Sequence, residues 1–381
     1  MNNDWMPEQT TAIALLKKCV IEAGFVAAAE NRENYHRVWS RDGNICGLAA
    51  LTSGDLELIA AFKSTLQTLA QYQGEYGQIP SNVDVAHKKA SYGTDVGRVD
   101  PTIWFIIGVC LFGRITGNDR LVNELWEHLK KAHDLLCAWE INNSGLLYIP
   151  QGGDWADQFL LSGYLLYDQV LRLWAMKELT AAAQRLKKEG ETFQQKAQQI
   201  ESVLSQRFFP ETRRPYFLAG YRPGATYSLF DAFGNALGCL LGLASQEERE
   251  HCLSFAEHAS SFQLVPAFFP AIEQDDPRYQ ELIHIVRHRT LRNIPGRYHN
   301  GGLWPMITGF WALAARKLEN HTLADWWTAG IVEANQKGQE GFYEYLDART
   351  GEPRGAMNQA WSAAAMIIAT TKLKDNLLGF S

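Results

Sequence analysis

The chain has 381 residues, 46% of them hydrophobic and 12% aromatic, with a net charge of −6. That composition supplies a large apolar core, and its scattered lysines and arginines argue against a nucleic-acid or anionic-membrane partner. The six cysteines are far apart with no CxxC, and no apolar run reaches about 18 residues without a charge, so reduced thiols in a cytoplasmic protein with no signal peptide are expected.

Helical periodicity dominates the chain. In order, apolar residues recur three and four apart over 11–29, 56–73, 101–116, 120–139, 160–186, 191–209, 229–245, 247–260, 279–291, 303–318, 321–337 and 357–373, and 43–53 reads as a further helix. Pro101 fits the first turn of its helix. Convincing strands are few. The helices around Pro101, Leu229, Leu303 and Met357 are apolar on nearly all sides. The neighbouring segments 119–138, 189–207, 247–260 and 320–337 are more charged. Inner helices of a double ring are apolar throughout and outer ones amphipathic. The alternation therefore predicts an all-α chain of six hairpins closed into an (α/α)6 barrel. No Pro/Ser-rich linker divides it, so 1–381 is expected to be a single domain.

Loops at one end of such inner helices form a funnel. Those at 35–44, 77–84, 93–104, 151–159, 296–305 and 341–361 are rich in glycine, acids and aromatics. They carry Asp42, Asp84, Asp95, Asp100, Asp154, Asp157, Glu344, Asp347 and Glu352. Two carboxyl groups are what glycosidic cleavage needs, one to protonate the leaving oxygen and one to attack or to activate water. Asp154 and Asp157 are too close in the sequence to be assumed a pair. Asp157 and Glu344, from the middle and the end of the chain, suit opposite walls. Trp155, Tyr343 and Tyr345 are expected to raise the acid's pKa by excluding water. Simpler readings compete: Asp154 as a helix cap, Arg41–Asp42 as a structural ion pair, His299–Asn300 as a turn. Trp39, Trp155 and Trp304 lie in loops and suit a pocket, whereas tryptophans at helical spacing, Trp104 and Trp361 among them, are more often core. No metal or nucleotide motif appears, so no cofactor and no metal are expected.

The segments "VWSRDGN", "GRVDPTIWFII", "DWADQF", "YHNGGLWP" and "GFYEYLDARTG…NQAWSAA" resemble, in order, signatures of alkaline/neutral invertases and of the related six-hairpin α-glucosidases and amylo-α-1,6-glucosidases. They span about residue 35 to 370. The resemblance implies Asp157 as general acid and Glu344 as general base, acting by inversion without metal or cofactor. It implies glucosyl binding by Arg41, Asp42, Asp100, His299, Asn300 and Gln359, with Trp155 and Trp361 as ring platforms. Trp39, Trp104, Asp154 and Trp304, on the same segments, complete the expected substrate-binding set. Ala156 stands where the invertases have methionine, and Gln158–Phe159 where they have a basic pair, so the chain departs from that pattern on the leaving-group side. The expected partner is a small carbohydrate, with sucrose first, then malto-oligosaccharides or a glucosylated small solute, and with self-association left open. A sugar 2-epimerase uses the same kind of barrel, but its paired bases are represented only by His299. A non-catalytic sugar-binding protein would have no reason to keep both carboxyl groups.

Overall fold

The computed structural model describes residues 5–30, 33–93, 96–209, 214–286, 289–339 and 341–371. Within them the helices are α1 (Met6–Lys18), α2 (Ser40–Ser53), α3 (Leu56–Gln71), α4 (Asp100–Thr116), α5 (Asp119–Glu124), α6 (Trp126–Ala138), α7 (Leu166–Arg185), α8 (Glu191–Arg207), α9 (Ala232–Leu240), α10 (Gln246–Ala259), α11 (Pro277–Val286), α12 (Pro305–Lys317), α13 (His321–Gln336) and α14 (Ala360–Ala369). Six of them pack in cyclic order: α2 on α4, α4 on α7, α7 on α9, α9 on α12, α12 on α14, and α14 back on α2. Four of the six, α4, α9, α12 and α14, are the strongly apolar helices of the sequence, and α4, α9 and α14 are buried along almost their whole length. The amphipathic helices lie against them: α3 on α2, α8 on α7, α13 on α12, α1 on α14. Their charged faces stay in water while their apolar faces close the core.

The chain is mainly helical rather than all-α. Among the described residues, short antiparallel strands form four small sheets, the largest built from Tyr164–Leu165, Leu218–Arg222, Ala225–Asp231 and Phe268–Phe269. Two of these strands, Tyr164–Leu165 and the end of Ala225–Asp231, fall inside segments that read as helix. The 160–186 helix begins only at Leu166, because Gly163 (φ +100°) pairs back with Ile149 and the next two residues join the sheet. The 229–245 helix begins at Ala232, capped by the Asp231 carboxylate on the Gly234 amide. A two-residue run cannot establish an alternating pattern, so periodicity misses it. Among the described residues no helix is long and apolar enough to cross a membrane. All six cysteines are free thiols, five of them buried.

The N-terminal ends of the inner helices gather the informative loops. Trp39 precedes α2, Trp304 precedes α12 and Gln359 precedes α14. Single bridges tie these loops together, Leu303 to Leu346, Pro266 to Leu303 and Ala28 to Gln359. The last two inner helices approach closely because Gly309 has no side chain. A Cβ there would stand 2.8 Å from the Ala365 carbonyl oxygen and 3.0 Å from its Cα. Gly309→Val is therefore expected to lower stability by about 1–3 kcal/mol, the usual cost of overpacking, read as a fall in the urea midpoint.

Candidate active site

The 151–159 loop is shaped by its own backbone. The Gly153 amide donates to the Pro150 carbonyl at 2.8 Å, Gly152 sits at φ +80° and Gln158 at φ +57°. From outside, the Asn293 amide donates to the carbonyls of Asp157 (3.0 Å) and Gln158 (2.8 Å). From inside, Trp155 is 1% exposed. Its ring meets those of Tyr167, Phe233, Phe268, His299 and Trp304 at centroid distances from 4.6 to 6.4 Å. The loop is pinned, and Asp157 projects from it at a fixed place.

Asp157 and Glu344 line one cavity of about 260 Å3, together with Trp39, Arg41, Asp42, Trp155, His299, Trp304, Gln359 and Trp361. Ten of the fourteen residues expected from the sequence thus converge there, the two carboxyl groups included. The remaining four do not line it. Asp100 is buried behind Arg41, accepting from its Nη1 at 2.9 Å and from the Tyr167 hydroxyl at 3.2 Å. Trp104 is core, its Nε1 donating to that same hydroxyl at 2.8 Å. Asp154 is buried and turns onto the Trp155 amide. Asn300 ties a turn, exchanging hydrogen bonds with the Ile272 backbone at 2.7 and 2.9 Å. These residues hold the walls. Asp95 lies outside the described residues.

Four residues at the carboxyl groups were not singled out in the sequence. The Asp157 carboxylate is ion-paired with Arg98 and accepts from the Tyr298 hydroxyl at 2.9 Å. Tyr35 donates to Glu344 at 3.1 Å, and Arg292 borders the same cavity. Tyr35, Arg98 and Tyr298 fall in loops already flagged, and their tyrosine and arginine character was the available signal. Arg292 lies just before such a loop.

The electrostatics differ from expectation. Half-exposed Asp157 faces a guanidinium, and it is Glu344 that burial raises, to about 7, against the lowering effect of the Ala356 amide and the Tyr35 hydroxyl. Glu344 fits only because Gly355 (φ +77°) faces it: a Cβ there would stand 2.2 Å from the Glu344 Oε2. Burial raises Asp42 to about 6, with Arg41 acting against it. Burial also holds His299 well below the usual histidine range, so its ring is neutral. Both His299 nitrogens, Arg41 Nε and Trp155 Nε1 are buried with no partner among the described residues. Buried polar atoms are normally satisfied, so these stand out; the His299 ring itself stacks on that of Trp304 at 5.2 Å between centroids. Gln359, with its amide oriented to satisfy both neighbours, donates to the Ala27 carbonyl at 2.9 Å and accepts from Trp361 Nε1 at 3.2 Å. Among the described residues no group of three or more His, Cys, Asp or Glu is placed to hold a metal ion.

Residues 169–362 match the mannosylglycerate hydrolase MGH1-like glycoside hydrolase domain. The chain is 23% identical, over 93% of its length, to alkaline/neutral invertase C (mitochondrial) of Arabidopsis thaliana, and spans 64% of that protein. It is likewise 23% identical, over 93%, to cytosolic invertase 1 of Oryza sativa, spanning 74% of it. This is distant homology to the invertases. The GH63 mannosylglycerate hydrolase of Thermus thermophilus superposes with a TM-score of 0.74 at 17% identity, covering 95% of this chain and 99% of that one. A bacterial glucoamylase in complex with acarbose gives 0.69 at 16%, covering 98% and 56%. At such identities the likeness shows the fold, a mainly helical structure matching six-hairpin glycosidases.

With a carboxyl group label on glutamate, an NMR titration is expected to show Glu344 ionising near pH 7. Tyr35→Phe removes a donor that favours the anion and should move that midpoint upward by about half to one pH unit, the worth of one net hydrogen bond.

Proposed function

Because the chain belongs to the mannosylglycerate hydrolase MGH1-like glycoside hydrolase family, we propose that it hydrolyses the α-glucosidic bond of a small α-glucoside with inversion, and that sucrose is its substrate. The observation that carries this is the presence of Asp157 and Glu344 in one cavity with unpartnered buried polar atoms around it. Asp157 gives its proton to the glycosidic oxygen as the bond to the anomeric carbon breaks. Glu344 takes a proton from water, whose oxygen attacks that carbon from the other side, so the products are a free alcohol and a sugar of inverted configuration. Arg41, His299 and Trp155 offer their spare hydrogen-bonding atoms to the sugar hydroxyls, and Trp361 supplies an apolar face. Before Asp157 can donate, it has to leave Arg98 and carry a proton. We read the cyclic packing of α2, α4, α7, α9, α12 and α14 as the inner ring of an (α/α)6 barrel, and 1–381 as one catalytic domain working in the cytoplasm.

The invertase likeness supports sucrose. A second reading, a glycoside of glycerate, is favoured by the family's description and by the Thermus structural neighbour. Incubation with sucrose, trehalose, maltose, isomaltose and glucosylglycerate, followed by NMR of the released anomer, separates these readings and reports the stereochemical course. β-Glucose as first product from sucrose is the expected result. Asp157→Asn and Glu344→Gln should each lower kcat by about 10²–10⁴ with an unchanged circular dichroism spectrum. Turnover within about tenfold of wild type in either variant would remove the assigned roles.

A further inference from the structure

Each of the two carboxyl groups has a side cavity of its own. One, of about 660 Å3, reaches Asp157 but not Glu344. Another, of about 260 Å3, reaches Glu344 but not Asp157. Inversion needs two approaches to the anomeric carbon, one by which a molecule departs and one, on the opposite face, by which water arrives. With the roles proposed above, the larger space falls to the departing molecule and the smaller to water.

The smaller cavity suits water in its lining. Six polar side chains border it: Glu33, Tyr35, Arg292, Tyr298, Glu344 and Tyr345. Burial, and Glu344 beside them, push all three tyrosines up, so each remains a hydroxyl, able to donate and accept at once. A water molecule takes about 30 Å3 in the liquid, so several fit. Glu344 borders both this space and the first cavity. Its carboxyl oxygens accept from the Tyr35 hydroxyl at 3.3 and 3.1 Å, and Oε2 also accepts from the Ala356 amide at 3.3 Å. Both donors favour the anion, the form that takes a proton. Tyr345 and Ala356 border the side cavity and not the first.

We propose that this side cavity is the store from which the attacking water is drawn, and that Tyr35, Tyr345 and Arg292 hold that water at Glu344 while a sugar fills the first cavity. The water gives one proton to a Glu344 oxygen as its own oxygen bonds to the anomeric carbon. The electron pair of the breaking bond leaves with the glycosidic oxygen, which takes the proton of Asp157. This rests on the glycosidase reading but not on sucrose.

The test measures kcat and KM on the best glucoside found above and on α-glucosyl fluoride. Fluoride departs without being protonated, so this substrate needs the water side and not the acid. Asp157→Asn should therefore lose far less activity on the fluoride than on the glucoside. Ala356→Leu fills part of the side cavity from a position outside the first. It is expected to lower kcat by about tenfold or more on both substrates while KM moves by about threefold at most. Tyr345→Phe keeps the ring stacked on Trp304 at 5.4 Å and removes one hydroxyl. It should lower kcat on both by about two- to fivefold, the worth of one net hydrogen bond, and it decides the matter if Ala356→Leu fails to fold. Full activity in the folded variants, or a loss confined to the glucoside, would overturn the proposal. Crystallography is the separate reading. Ordered waters in the side cavity, one within hydrogen-bonding reach of Glu344, support the store even if no glucoside is cleaved, and that failure would fall on the glycosidase reading alone. A dry side cavity, or one occupied by the sugar after a glucose soak, sinks it.

Discussion

Burial of the Trp155 indole among five other rings is the contact from which the cavity is built outward. Those rings come from α7, α9, the 268–269 strand and the 296–305 loop. Edge-to-face pairs of this kind are each worth about 0.5–1.5 kcal/mol beyond the area they bury. The loop that carries Asp157 therefore cannot shift without unpacking parts of several helices. Two residues on, the Asp157 carboxyl group inherits that rigidity, while its own side chain keeps contact with solvent.

The same packing creates an electrostatic problem that the fold resolves by selective neutralisation. Carboxyl groups taken out of water favour the protonated form. Burial raises Asp154 to about 8 and Asp231 to about 7, and pushes Asp168 up as well. Near neutral pH much of this inner acidity is silent. Asp100 has Arg41 as its ion-pair partner instead. What remains charged is concentrated at the rim: Asp157 with Arg98, and Glu344 poised near its midpoint with Arg292 close by. The cavity between them is lined by Arg41 and Arg292 together with carboxyl groups of unequal burial.

Much of this was legible in the sequence, for identifiable reasons. Long helices of opposite character announce themselves by periodicity, and loops that combine glycine, acids and tryptophan stand out against them. Short strands do not, because Leu218–Arg222 and its partners gain their pairing from tertiary neighbours. Site residues divided along a similar line. Asp157, Glu344, His299 and Trp304 lie in loops and reach the cavity. Asp100 and Trp104 occupy the first turns of α4, where the chain has already turned inward, so their side chains meet Arg41 and Tyr167 instead. Asn300 was expected at the glucosyl unit from the invertase resemblance, yet it ties a turn to the Ile272 backbone, as the simpler reading of His299–Asn300 had it. Arg98 and Arg292 were hidden by type: an arginine in a loop is usually solvated, and only the fold shows which ones converge.

Gly355 sets a limit on how this site can diversify. With no room for even a methyl group behind Glu344, the wall at that carboxyl group tolerates almost no mutational drift. Asp157, by contrast, is half-exposed and is bordered by the side chains of Arg98 and Tyr298. Relatives would be expected to vary there first, since exchanging a bordering side chain can leave the backbone in place.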